Sequence, residues 1–125
     1  MTNPLRSLLV PLAVLWPAAA QAEVIDIAWS GAGRFEHRVT VAPGKFAEAC
    51  GRLARAESIA WRFEASGPLN FNIHYHEGKK VRYPERRDAL AGASGRLKVA
   101  LDQDYCWMWT NKAGQPVTLQ FLLER

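Results

Sequence analysis

At 125 residues, 49% hydrophobic and 22% charged, the chain has material for one core and is too apolar to stay unfolded. Sixteen Lys and Arg against twelve Asp and Glu leave a formal net charge of +4, a mild balance that does not point to nucleic acid. Only two cysteines are present, which excludes a disulfide-dense scaffold and any four-cysteine metal module.

Residues 1–22 read as an export signal. Arg6 supplies the basic start, Leu8–Trp16 the apolar segment, and Ala20-Gln21-Ala22 a small-residue cleavage site. The apolar segment is shorter than the roughly 20 residues needed to span a bilayer, and no cysteine stands beside the cleavage site for lipid attachment. The expected product is a single domain over 23–125, periplasmic or secreted, with no membrane span.

Short alternating runs then follow one another. Val24–Trp29 is the first strand candidate and Phe35–Val41 the second, each closed by Gly- or Pro-containing turns. Lys45–Glu57 is ambiguous. Phe46, Cys50 and Leu53 recur at helical spacing, yet a short strand there fits better with a bridge to Cys106. Ser58–Ala65 places Ile59, Trp61 and Phe63 on one face. A turn is expected at Ser66-Gly67-Pro68, then a strand over Leu69–His76, a hairpin at Glu77-Gly78-Lys79 and a short strand over Lys80–Tyr83. Pro84–Ser94 reads as a loop and Arg96–Leu101 as a strand. Tyr105–Thr110 sets Tyr105, Trp107 and Trp109 against Cys106, Met108 and Thr110, and Val117–Leu123 closes the series. The predicted architecture is all-β, an antiparallel β-sandwich of seven or eight short strands with one disulfide, Cys50–Cys106. In that arrangement Cys106 points into the core toward Cys50 on the facing sheet, and Met108 fills the core beside it.

Three segments resemble the GOLD (Golgi dynamics) domain known from cargo receptors of the early secretory pathway. Ile59–Phe63 (IAWRF) is similar to that domain's W-x-F strand. Leu69–His76 matches its alternating strand before a glycine hairpin. Tyr105–Asn111 (YCWMWTN) is similar to its Tyr-x-x-x-aromatic-x-Asn strand end. The resemblance spans most of Phe46–Leu123 and implies a sandwich used for protein or lipid contacts, without catalysis. Those receptors carry a cysteine three residues after the tyrosine, where this chain has Met108; here the cysteine is Cys106, on the same strand face. Their coiled coil and membrane helix have no counterpart in this sequence, so cargo transport is not implied.

In Leu69–His76 the apolar face is Leu69, Phe71, Ile73 and Tyr75, and the polar face is Asn70, Asn72, His74 and His76. Two imidazoles two residues apart share a strand face and can share a metal ion. His37, Glu77 and Met108 are the further candidate ligands, copper or zinc the candidate ions. The same row continues into a basic stretch containing Lys79, Lys80, Arg82, Arg86 and Arg87, suited to an acidic partner or anionic headgroup. Trp61, Trp107, Trp109, Tyr75 and Tyr105 are assigned mainly to the core. The sequence holds no G-x-S-x-G, H-E-x-x-H or P-loop pattern. The reading that results is a non-enzymatic exported module without a cofactor. It recognises a protein, lipid or small ligand through Asn70, Asn72, His74, His76 and the basic stretch. Metal binding at His74 and His76 is the alternative.

Overall fold

The computed structural model describes Thr2, residues 9–13 and residues 22–125. Most of the expected export signal lies outside the described residues, and the cleavage site with it. The domain contains seven strands: β1 (Glu23–Asp26), β2 (Arg34–Val41), β3 (Phe46–Leu53), β4 (Ser58–Glu77), β5 (Lys80–Lys98), β6 (Gln103–Thr110) and β7 (Val117–Glu124). In the ambiguous Lys45–Glu57 segment, Phe46–Leu53 is a strand, β3, and a turn follows it, as the strand reading had it. Among the described residues no helix is long and apolar enough to cross a membrane.

Strand order is β1-β3-β6-β4-β7-β2, with β5 on the remaining edge of β4. The first half of β4 pairs with β7, Ala60–Ala65 against Glu124–Leu119. Its second half pairs with β6, Asn70–His74 against Thr110–Cys106. The change of partner falls at Ser66-Gly67-Pro68. There the Ser66 Oγ accepts the Thr118 N–H at 2.9 Å, replacing a ladder bond, and Pro68 has no N–H to leave unpaired. The expected turn is therefore a bend inside one 20-residue strand, which folds one half of the sheet over the other. Within the sheet only β1 and β3 run parallel.

β5 follows β4 along its length, from Ser58↔Lys98 to Glu77↔Lys80, with register shifts near Leu69 and Tyr75. The loop expected over Pro84–Ser94 is thus strand, and the strand expected over Arg96–Leu101 is the end of β5 and the residues after it. The long strands replace what read as several short ones. Low β-propensity hides the strand at Ala89–Ser94: Leu90, Gly92, Ala93 and Ser94 pair with β4 because it offers an open edge. A Cβ on Gly95 would lie 2.6 Å from Cζ2 of Trp61, so the indole occupies the space a side chain would need. Asn70 Oδ1 accepts the Ala89 N–H at 3.0 Å where Ala89 adopts φ 54°, stabilising the irregular step.

The layers close around aromatic rings. Trp61 and Phe63 from the first half of β4 meet Phe71 from the second at 4.8 and 5.0 Å between centroids. Trp109 of β6 stacks on Phe121 of β7 at 4.5 Å, though those strands are not hydrogen-bonded to each other. On β3, Ala47 and Ala49 stand opposite Trp109 and Trp107, and these two small residues leave room for the indoles. Each buried ring of this kind contributes about 1.5–3 kcal/mol relative to exposure. The core assignment of Trp61, Trp107, Trp109 and Tyr105 holds, and Tyr75 packs against its edge. Asn111 is fully buried after β6. Its Nδ2 donates to Val41 O (3.0 Å) and Gln115 O (2.7 Å), and its Oδ1 accepts the Ala113 N–H (2.9 Å).

The Cys50–Cys106 disulfide is present, with its Cα atoms 4.1 Å apart. It does not cross the sandwich. Cys50 and Cys106 are register partners on adjacent strands of one sheet. Because Tyr105, Trp107 and Trp109 take the inner face, Cys106 and Met108 take the outer one, which corrects the expected core position of both.

Gly95→Val should lower the urea unfolding free energy by about 1–3 kcal/mol through overpacking against Trp61. Gly31→Ala, whose Cβ meets nothing within 4 Å, should change it by less than about 0.5 kcal/mol. Intact mass after alkylation without reduction should show no modified thiol. Reduction should destabilise by about 4 kcal/mol or less, given the 56-residue separation of the cysteines.

Candidate functional site: the outer face of β3, β6, β4 and β5

Strand pairing sets outward side chains in rows across the sheet. One row is Cys50, Cys106 and His74; the next is Glu48, Met108, Asn72 and Arg86. His74 is 6% exposed although it lies on the outer face. The His76 ring stands 5.5 Å from it, edge-on, and the Tyr83 ring 6.1 Å away. Its Nδ1 donates to Asn72 Oδ1 at 2.7 Å, and its Nε2 lies 3.8 Å from Glu48 Oε2.

Burial, and secondarily a charge on His76, lowers the pKa of His74 below its ordinary value, while burial raises that of Glu48 against the opposing effect of His76. His74 is therefore neutral at pH 7, and its approach to Glu48 is not an ion pair between full charges. Sγ of Cys106 completes a group of three donor atoms within 4.8 Å of one another. The disulfide occupies that sulfur, so in the oxidised chain it is not a thiolate ligand.

Beyond His76 the chain reverses through Gly78 (φ 62°) and Lys79, a two-residue turn with glycine at its first central position. Val81 pairs with His76 and Arg86 with Asn72, which puts both on the outer face; Arg82 pairs with Tyr75 and Arg87 with Phe71, on the other face. Val81 and Tyr83 are exposed. The Arg86 guanidinium lies over the Tyr83 ring at 5.0 Å, whereas Arg87 binds Glu85 at 2.6 Å and lies 5.9 Å from the Trp61 ring. Arg82 meets Glu77 at 3.6 Å. Lys80 is opposite Glu77 and Lys79 is in the turn.

The residues singled out in sequence thus fall into separate groups. Asn72, His74, His76 and Arg86 form one surface with Met108 alongside, while Lys80, Arg82 and Arg87 belong to the other side of the hairpin. Asn70 holds the bulge at Ala89. His37 is on β2, between Phe35 and Phe121 with Nε2 3.6 Å from Glu23, apart from His74. Glu48 and Tyr83 were missed. Glu48 is two residues from Cys50 on the same strand face, but only the β3–β6–β4 register brings it to His74. Tyr83 alternates with Val81, and the loop reading beyond it hid that phase.

No family model matches the chain, and no curated protein does. Solved structures do match. A periplasmic inhibitor of g-type lysozyme, PliG from Aeromonas hydrophila, superposes with a TM-score of 0.62 at 10% identity, covering 83% of this chain and 96% of that one. The pre-peptidase C-terminal domain of a Bacillus anthracis collagenase superposes at 0.53 with 11% identity, covering 83% and 95%. At such identities the likeness is one of fold: this is a small β-sandwich domain of the kind these two proteins share. Neither named structure is a GOLD domain.

In metal-free buffer, wild-type stability should fall as pH drops below about 6.5. The lowered pKa means that the folded state binds the His74 proton less tightly than the unfolded chain does. His74→Gln should lose less stability between pH 7 and pH 5, measured as the shift in thermal midpoint. The raised pKa of Glu48 acts in the opposite sense, so Glu48→Gln should improve relative to wild type as pH rises above 4.5.

Proposed function

We propose that the chain is an exported, non-catalytic binding module that docks a protein partner through the β4–β5 hairpin and the adjoining outer face. The observation that carries this is the position of the exposed apolar side chains. Among the described residues from Glu23 onward, the large exposed ones are Val24, Val81 and Tyr83. Two of the three sit on one hairpin arm among Lys79, Lys80, Arg82, Arg86 and Arg87. An exposed aromatic ring under an arginine, Tyr83 beneath Arg86, is the composition of protein-interface hot spots, and the free charge of that arginine on the outer face favours a partner with an acidic docking surface.

The lysozyme inhibitor supports a protein partner, since a domain of similar fold there inhibits an enzyme. Export is supported by the signal-like start and by the disulfide. The GOLD-like reading belongs to the same proposal. Its supports are the burial of Trp61, Phe63, Tyr105 and Asn111, the residues that carry the resemblance.

A photoreactive phenylalanine analogue at position 83 should crosslink a protein from the envelope fraction of the source cells, and the same probe at Glu36, on β2, should not. The partner, once identified and purified, should bind at one-to-one stoichiometry. Tyr83→Ala or Arg86→Ala should then weaken binding at least about tenfold, and raised salt should slow association. Equal labelling from both positions, labelling of lipid alone, or wild-type affinity in both variants would refute the reading.

A further inference from the structure

We infer that Glu48, His74 and His76 form a binding site for one zinc-class divalent cation on the outer face of the sheet. This inference is independent of any protein partner. It starts from two unspent lone pairs. The His74 proton sits on Nδ1, committed to Asn72 Oδ1 at 2.7 Å, so Nε2 presents its lone pair toward Glu48. The separation of 3.8 Å is too long for a hydrogen bond. It is near the roughly 3.4 Å between two donors that share a tetrahedral ion at 2.0–2.1 Å each. Glu48 has no hydrogen-bond partner among the described residues, although its side chain is only 19% exposed.

The surroundings match those of a ligating imidazole. Such rings donate their second N–H to a fixed acceptor, which sets the tautomer and aims the free nitrogen at the ion; Asn72 fills that role. The disulfide joins the strands of Glu48 and of the His74 partner Cys106, holding the platform beneath the donors. His76, exposed and 5.5 Å away between ring centroids, supplies a third donor by turning its side chain. Two imidazoles and a carboxylate suit zinc or copper(II) and not the all-oxygen preference of calcium or magnesium. Water fills the fourth position.

The test uses the purified, oxidised full-length chain, titrated with zinc in competition with a chromophoric chelator, and with cobalt(II) to read coordination from its visible spectrum. One ion per chain is expected. His74→Ala should abolish binding, and Glu48→Gln should weaken it at least tenfold. Asn72→Ala, which removes no ligand, should weaken it about 10–100-fold. Circular dichroism and an alkylation check on each variant distinguish site loss from unfolding. If His74→Ala unfolds the chain, Glu48→Gln, isosteric and conservative, decides. Three results would overturn the site: no stoichiometric binding, binding unchanged in Glu48→Gln, or binding that appears only after reduction and so belongs to the freed thiols of Cys50 and Cys106.

Discussion

β4 satisfies one backbone edge with a single long partner and the other edge with two different strands in succession. That constraint organises the domain. A 20-residue strand in a flat sheet would leave most of its apolar face wet. Exchanging β7 for β6 at Ser66-Gly67-Pro68 folds the strand on itself, so Trp61 and Phe63 meet Phe71 instead of water. The aromatic core and the bend need each other. Without the bend the rings have no opposing layer, and without the rings nothing offsets the ladder bonds lost between Ala65 and Asn70.

The candidate site is a product of the same register. The inner positions of β3, β6 and β4 are filled by Ala47, Ala49, Trp107, Trp109, Phe71 and Ile73. Their neighbours in sequence must therefore face outward, whatever their polarity. The result is an outer face with a disulfide, a methionine, a buried imidazole and a largely covered carboxyl beside a basic hairpin. Such a face is more preorganised than a loop, because each side chain rests on a paired strand.

Alternation alone revealed which residues of Tyr105–Thr110 and Leu69–His76 share a face, and the aromatic count foretold the core. What period-2 patterning cannot show is which strands are neighbours. Cys50 and Cys106 were expected to face each other across two sheets, when they lie side by side in one; a bridge constrains distance but not layer. The same gap separated Glu48 from His74. The small residues of Ala89–Gly95 hid their strand because their fitness for it comes from the Trp61 indole above Gly95 and from an open edge of β4, neither of which is local.

β7 is last in sequence order, yet it is an interior strand, between β2 and the first half of β4. Among the described residues β2 pairs with no other strand. The earlier elements therefore cannot reach their final arrangement one after another as they are made. The first half of β4 lacks its sheet neighbour until Val117–Glu124 is in place, and a pairing of such long sequence separation is entropically costly to close. Loss of Val117–Glu124 would therefore cost more than one strand: β2 would have no partner left to join it to the sheet.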